Sequence, residues 1–408
     1  MTRTAPAVLL AIIMIASTAP AYAEQSTDSP RNVRFEGAPR IGSTDGWSLK
    51  PRGRLQYDVG HVSRPEGVTV AGLGTADEIR RAQLGVEGTM PGGFSYQFEL
   101  ELSEAVNEIT EAMISYKASD ALTLTVGQHK NFRSLDEMTS DRLTSFMERA
   151  AFTDAFNFER QVGLSATWKH GPVTVQLGIF TDNLLEIDEA DDAVSVDGRV
   201  IYAPQLGGGQ LHLGGSIHWR DTGDRVARGI TTRYRQRPQI HTTDVRFLAT
   251  PALPVGTETS FGLEAAWIRG PFHATGEAHW FNADTATPGV GPTFFGAYAE
   301  VGWFLTGETR AYRSGRWDAT RVRRAVEEGG SGAFQVVLRY DHLDLNSGTV
   351  RGGRQHAVLA GLNWTPTDYV RFMVNVGRVF FDDSPIPAAG GDRNYAVTVA
   401  GFRAGLDF

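Results

Sequence analysis

From Trp47 to the last residue, the sequence repeats one pattern: segments of about ten residues in which apolar and polar side chains alternate, with turns between them. Residues 94–103 (FSYQFELELS) and 370–376 (VRFMVNV) show this alternation clearly. Side chains of a β-strand point alternately to opposite faces, so each segment presents one apolar face and one polar face. The pattern predicts an all-β chain.

A soluble β-sandwich also alternates, but two further features favour a membrane barrel. Aromatic residues recur near the strand ends, as in the interfacial girdles of membrane barrels, and the connections alternate between very short and long. Mean hydropathy is only −0.23, which suits a barrel because half of each strand faces water. Within lipid, only helices and closed barrels satisfy every backbone polar group. We therefore expect an antiparallel transmembrane β-barrel.

The number of segments is consistent with closure. Bacterial single-chain barrels have an even number of strands. Counting residues 241–250 would give an odd number and would move the tight turn at residues 269–270 to the long-loop end, so we assign residues 221–257 to one long loop. The sixteen predicted strands are 48–59, 78–89, 93–103, 108–118, 121–130, 159–169, 172–182, 194–203, 209–220, 258–268, 271–281, 294–306, 332–343, 355–365, 368–380 and 394–408.

The first residues are typical of an export signal. Arg3 precedes an apolar run of about fifteen residues, which is shorter than the roughly 20 needed to span a bilayer, and Ala21-Tyr22-Ala23 is a small-residue cleavage site. We expect a cleaved signal peptide over 1–23, a polar linker over 24–46 and the barrel domain over 47–408. Export of a barrel implies the outer membrane of a Gram-negative bacterium.

Sixteen strands enclose an aqueous lumen rather than a packed core. Three connections are much longer than a turn requires: 132–158, 221–257 and 307–331. We expect all three to fold inward and to narrow the lumen. Since both chain termini should be periplasmic, segment 307–331 enters from the periplasmic end, where the other connections are short turns.

The positive charges are almost all guanidinium groups. The net charge is −8, yet only four of the 39 basic residues are lysine and the other 35 are arginine. A GC-rich genome also favours arginine codons, but several cations in a narrow lumen would concentrate anions. In an extended chain, the side chains of residues two positions apart project to the same side, as for the basic residues at 50–54 and 233–237. The candidate anion path comprises Lys50, Arg52, Arg54, Lys130, Arg133, Arg233, Arg235, Arg237, Arg310 and Arg313.

The alternative for any of these arginines is a pair with a carboxylate of the barrel wall. Glu99 and Glu101 lie on the polar face of the predicted third strand and are able to oppose anion selection. Signals of catalysis are weak, because phosphate-binding glycine loops, nucleophile motifs and metal-spaced His clusters are missing from the sequence. We expect a protein that is not an enzyme and that carries no cofactor or metal.

Several short motifs resemble the phosphate-selective porins O and P, and they occur in that family's order from about residue 80 to the end of the chain. The matching stretches are RRAQLGVEG at 80–88, GQHK at 127–130, TSFMER at 144–149, LTGETRAY at 305–312, GAF at 332–334, RY at 339–340, LDLN at 343–346, GGRQ at 352–355, GLNW at 361–364 and the closing DF at 407–408.

The resemblance implies a trimer of sixteen-stranded barrels with inward-folded loops and a basic path for phosphate or other anions. Lys130 and Arg310 lie at matching motif positions. The chain departs from the family in having so few lysines, so arginines would have to replace a lysine-rich phosphate site. We expect passive diffusion of small anions, with phosphate or related oxyanions as substrates. The alternatives are a general or weakly cation-preferring porin and a plugged structural barrel.

Overall fold

The computed structural model describes residues 32–36, 38–103, 108–185 and 192–408. Sixteen antiparallel strands pair in sequence order, and the last pairs with the first, with Phe402 opposite Val59. The barrel strands are β1 (Ser48–Val62), β2 (Gly74–Met90), β3 (Phe94–Glu101), β4 (Glu108–Lys117), β5 (Leu122–Lys130), β6 (Arg160–His170), β7 (Val173–Phe180), β8 (Val194–Tyr202), β9 (Gly209–Asp221), β10 (Val255–Arg269), β11 (Phe272–Thr285), β12 (Thr293–Phe304), β13 (Ala333–Ser347), β14 (Val350–Thr365), β15 (Val370–Asp382) and β16 (Tyr395–Asp407).

This architecture confirms the predicted sixteen-stranded barrel. Residues 241–250 stay outside the barrel sheet, and only the two-residue strand Leu248–Ala249 forms there, paired with Arg235–Gln236. Seven strands, β1, β2, β10, β11, β13, β14 and β15, extend two to five residues beyond their predicted ends on the long-loop side, because their hairpins continue the ladder past the apolar band.

The remaining elements are short. The additional strands are Asn32–Glu36, Ala38–Gly42, Gln205–Leu206, Tyr312–Arg313 and Arg316–Trp317. The α-helices are Leu135–Met138 and Ala151–Ala155, and the 3₁₀ helices are Asp141–Leu143, Gly223–Arg225, Val326–Glu328 and Ala389–Gly391. In the part of the chain that the structure describes, no helix has the length and apolar character needed to cross a bilayer.

The chain before the barrel is described only in part. The predicted signal peptide, 1–23, and residues 24–31 of the predicted linker lie outside the described residues. Asn32–Glu36 pairs with Ala38–Gly42, and Ile41 pairs with Leu49 of β1. The second half of the predicted linker therefore adds a hairpin to the edge of β1.

The outer face of the barrel is apolar. On neighbouring strands, Ile114, Val126 and Leu164 lie in register and are all more than 45% exposed in the isolated chain. At the short-turn end, aromatic rings stack side by side, with Trp364 at 5.8 Å from Phe334 and 5.4 Å from Phe372 between ring centroids. Such a surface is stable only against lipid or another apolar surface.

The lumen is partly filled near the long-loop end. The inward connections contribute Phe146, Phe152 and Tyr234 to a buried apolar cluster that packs against wall residues such as Phe281 and Phe381. These wall aromatics face inward, which reverses the usual polarity of the lumen face. Near the long-loop end, the open space therefore lies toward the opposite wall, beside β2, β4 and β6.

The two faces of one strand provide a test of the membrane orientation. We predict that Val126→Arg on the outer face of β5 lowers the free energy of unfolding by about 2–4 kcal/mol, because a guanidinium group near the bilayer midplane is poorly solvated. The control is Thr125→Arg, one residue away on the lumen face. Urea unfolding in lipid vesicles measures both, and equal destabilisation by the two substitutions would contradict the assignment of faces.

Candidate ion pathway

Two inward segments meet inside the barrel. Loop 131–159 enters from the long-loop end and segment 305–332 from the short-turn end. They touch where Trp317 donates its backbone N–H to the Thr139 hydroxyl at 3.3 Å and where Arg310 binds the Leu143 carbonyl at 3.1 Å. The predicted inward folding of both segments is confirmed. The third segment, 222–254, packs on loop 131–159, with Arg246 paired to Asp154 at 2.7 Å.

Carboxylates of the wall hold the tip of loop 131–159. Glu277 accepts the backbone N–H groups of Leu135 and Asp136 at 2.9 and 2.8 Å. Asp341 accepts the N–H of Ala151 at 3.0 Å. These two acceptors satisfy the free N–H groups at the starts of the two short helices in the loop, which otherwise lack partners.

Buried wall arginines hold the same segments through their carbonyl oxygens. Arg403 forms a two-point pair with Asp58, at 2.7 Å for both bonds, and donates its remaining nitrogen to the Met147 carbonyl at 2.7 Å. Arg339 pairs with Glu300 and donates to the Glu148 carbonyl at 3.2 Å. These guanidinium groups are neutralised by carboxylates and act as positioning groups.

Arg199 performs the same task for segment 305–332. It pairs with Glu264 at 2.6 and 2.8 Å and donates to the Gly315 carbonyl at 2.7 Å. The alternative reading of wall arginines, as partners of carboxylates, is therefore correct for Arg199, Arg339 and Arg403.

An outer cavity of about 1150 Å³ lies between loop 131–159 and segment 222–254. Its positive lining consists of five arginines and His241, opposed by six carboxylates. The arginines are Arg80, Arg81, Arg149, Arg160 and Arg237, and the carboxylates are Glu108, Glu137, Asp141, Glu148, Asp154 and Glu159. The outer cavity is close to electrically balanced.

An inner cavity of about 1330 Å³ lies toward the short-turn end and has a different balance. Seven cationic side chains line it, against four carboxylates. The cations are Arg52, Arg54, Lys130, Arg142, Arg160, Arg313 and Arg316, and the carboxylates are Glu87, Glu99, Glu111 and Asp318. The inner cavity carries an excess of three positive charges.

A cluster of eight charges, the central cluster, lies where the two cavities meet. Asp141 is shared by Arg54, at 2.7 Å, and Arg81, and Glu137 is shared by Lys130 and Arg149, both at 3.3 Å. The remaining pair joins Arg160 to Glu111 at 3.4 Å. Five cations share three carboxylates, so the central cluster has two positive charges in excess.

Two carboxylates of the loop, Asp141 and Glu148, remain ionised at neutral pH. Burial alone would raise the pKa of Asp141, but Arg54 and Arg81 outweigh it and hold that pKa well below its ordinary value. Burial alone would also raise the pKa of Glu148, but Arg80 and Arg403 outweigh it and lower that pKa to about 2. The negative charges of Asp141 and Glu148 therefore persist across the physiological pH range.

Six of the ten predicted path residues line one of the cavities that the structure describes. Four of them, Arg52, Arg54, Lys130 and Arg313, line the inner cavity. Arg237 lines the outer cavity, where it pairs with Asp244 at 2.8 Å. Arg310 is buried, stacks on Trp317 at 4.1 Å and lines a third cavity at the short-turn end.

The other four predicted residues lie away from these cavities. Lys50 is near the start of β1, and Arg133 is buried beside Asp197, at 3.4 Å, and over the Phe158 ring. Arg233 and Arg235 share one face as the spacing predicts, but that face is exposed, with the buried Tyr234 between them. Neither side chain lines any of the three cavities.

Arg81 and Arg371 line cavities but were not among the predicted residues. Strict alternation assigns only one of the neighbours Arg80 and Arg81 to the lumen. A β-bulge, at which Gln56 pairs with Arg81 and Tyr57 with Ile79, turns both inward. The double arginine itself indicates the bulge. In a regular strand, one of two consecutive arginines would face lipid.

The described residues contain no group of three or more His, Cys, Asp or Glu side chains arranged to hold a metal ion. A closed barrel with an apolar outer face, inward loops and connected charged cavities is a transmembrane channel of the porin class. The family model for the phosphate-selective porins O and P matches residues 49–408. The chain belongs to this family, and family and fold together imply an outer-membrane channel.

Known proteins agree with this assignment. The chain is 44% identical to an uncharacterized protein of Caulobacter vibrioides, over 99% of this chain and 82% of that protein. It is 26% identical to Porin O of Pseudomonas aeruginosa, over 88% and 90% of the two chains. The solved anion-selective porin from Comamonas acidovorans has the same fold, with a TM-score of 0.57 at 13% identity over 89% of this chain and 100% of that one.

Removing a positioning arginine should release loop 131–159. We predict that Arg403→Gln lowers the free energy of unfolding by about 3–5 kcal/mol, because Asp58 stays buried without its partner. The freed loop should also make single-channel current noisier. Arg269→Gln, in an exposed turn, is the control for loss of an arginine elsewhere. A quiet channel of unchanged stability in Arg403→Gln would show that this pair does not hold the loop.

Proposed function

We propose that the chain forms a trimeric channel for the passive diffusion of small anions, with phosphate or related oxyanions among its substrates. The observation that carries this proposal is the excess of positive charge in the inner cavity, together with the excess in the central cluster. An anion that crosses the lumen through the inner cavity passes both.

The magnitude of the electrostatic effect suits passage rather than tight binding. Two unit charges 4 Å apart interact by about 4 kcal/mol at an effective dielectric constant near 20, and by about 1 kcal/mol in water. Most cations of the pathway already share a carboxylate, which weakens each site further. Several weak sites in succession attract an anion and still release it.

Arginine chemistry favours oxyanions among the anions. A guanidinium group offers two parallel N–H donors that match two oxygens of a phosphate or carboxylate. Arg316 is exposed, lines the inner cavity and, within the described part of the chain, has no carboxylate in ion-pair contact. Its donors are therefore available to an oxyanion in the cavity.

Support for the trimer and for anion passage also comes from solved proteins of this fold. One is described as an anion-selective porin, and OmpT of Vibrio cholerae, with a TM-score of 0.57 at 10% identity over 89% of this chain and 100% of that one, is described in a trimer form. The apolar outer face is compatible with both lipid and neighbouring copies.

The second candidate function is a general or weakly cation-preferring porin. It is favoured by the near balance of the outer cavity and by Glu99 and Glu111, which line the inner cavity. Glu99 is 3.5 Å from Arg52 and Glu111 is 3.4 Å from Arg160, so both are largely compensated. Glu101, the other predicted carboxylate, is buried in hydrogen bonds at the end of β3 and does not line the inner cavity.

Neutralising two cations of the inner cavity separates the two candidates. We predict that Arg52→Gln/Arg316→Gln lowers the ratio of chloride to potassium permeability several-fold, because the cavity changes from three excess positive charges to one. Reversal potentials in planar bilayers at low salt measure the ratio, since salt screens the effect. An unchanged ratio would favour the general porin.

The matched control is Arg235→Gln, which removes an exposed arginine of segment 222–254 that lies outside the three cavities. We expect its permeability ratio to equal that of the unmodified chain. A decrease as large as in the double variant would mean that surface charge, and not the inner cavity, sets selectivity.

A further inference from the structure

The third cavity, of about 930 Å³, is distinct from the inner cavity, and we call it the side cavity. It lies between segment 305–332 and the strands β15 and β16, and its lining includes Thr365, Tyr369 and Val370 at the short turn that joins β14 to β15. This position places its opening at the short-turn end of the barrel.

Segment 305–332 divides the short-turn half of the lumen. Its residues Arg313 and Arg316 face the inner cavity, whereas Arg310 and Thr320 face the side cavity. Asp318 and, from the other inward loop, Arg142 contribute to both linings. The pathway therefore branches below the central cluster.

Five arginines line the side cavity, and four of them have carboxylate partners. Arg54 binds Asp141 at 2.7 Å, Arg142 binds Asp407, Arg310 lies 3.3 Å from Glu300, and Arg403 binds Asp58 at 2.7 Å. The fifth, Arg371, donates to the backbone carbonyl of Arg142 at 2.9 Å. Among the described residues, no carboxylate makes an ion pair with Arg371.

The carboxylates of the side cavity are engaged elsewhere. Asp141 and Asp407 are held by the arginines just named, and Asp318 pairs with Arg313 at 2.8 Å. Asp368 accepts the backbone N–H of Val322 at 2.9 Å. The guanidinium group of Arg371 thus has donors that its surroundings leave free, in a cavity that an anion is able to enter.

We propose that the side cavity is a second oxyanion site, in which Arg371 binds a phosphate-like or carboxylate anion at the short-turn end of the pathway. A partly buried guanidinium group without a counter-ion is unfavourable, and a small oxyanion would supply both the missing charge and the acceptors. The inference rests on the proposed anion pathway and adds a branch to it, away from the inner cavity.

The test compares phosphate block of chloride current in planar bilayers for the unmodified chain, Arg371→Gln and Arg371→Lys. We expect Arg371→Gln to raise the phosphate concentration for half-block about 3- to 10-fold, with an intermediate value for Arg371→Lys, which keeps the charge but loses the two-point geometry. The matched control is Arg378→Gln on the outer face of the same strand, where the side chain binds Thr398 at 2.6 Å, and we expect no change.

Two outcomes would overturn this inference and leave the proposed function standing: an anion-selective channel that phosphate does not block, and equal block of the unmodified chain and Arg371→Gln. A channel without anion selectivity would overturn both. Crystals soaked in selenate provide a second measurement that does not depend on the folding of a variant. We expect anomalous density from selenate beside Arg371. If selenate occupies other positions in the pathway but gives no density beside Arg371, the site is contradicted.

Discussion

Guanidinium groups hold the interior of this barrel in place. Each one binds a wall carboxylate with one edge and a loop carbonyl with the other. Arg403, Arg339 and Arg199 each bond in this way, and all three are at most 2% exposed. A segment folded into the lumen needs partners for its backbone groups, and the strand pairs described in these segments are only two residues long. A planar group with five donors serves this purpose better than a lysine, which offers a single charged point.

This role gives a physical reason for the scarcity of lysine. Some arginines are structural and neutralised, and others line the cavities with part of their charge uncompensated. Loop 131–159 brings Asp141 and Glu137 to the cations of β1, β2 and β5, so that the same contacts that fix the loop also set the charge of the pathway. Loop position and ion selectivity are therefore coupled in this architecture.

The fold was predictable because alternation is a local property of the chain. The number of strands, the face of most side chains and the inward folding of the long connections follow from spacing, turn residues and segment length. The bulge at Arg80 and Arg81 breaks alternation, and the inward-facing Phe281 and Phe381 reverse the expected polarity where loops cover them. Both departures depend on tertiary packing.

The pathway was predictable only in part, because charge pairing joins distant residues. Asp58 and Arg403 are 345 positions apart, and Arg142 and Asp407 are 265 apart. Spacing placed Arg52 and Arg54 on the lumen face, but it cannot show which carboxylate each one meets. Arg233 and Arg235 have the same spacing but line none of the three cavities, because segment 222–254 lies outside the barrel sheet.

The central claim is that the uncompensated arginines of the lumen make the open channel prefer anions. The zero-current potential of the unmodified channel across a potassium chloride gradient measures this preference directly. The account predicts that chloride crosses faster than potassium, so that the dilute compartment becomes negative. A dilute compartment that becomes positive would mean that carboxylates control the lumen, and would contradict the account.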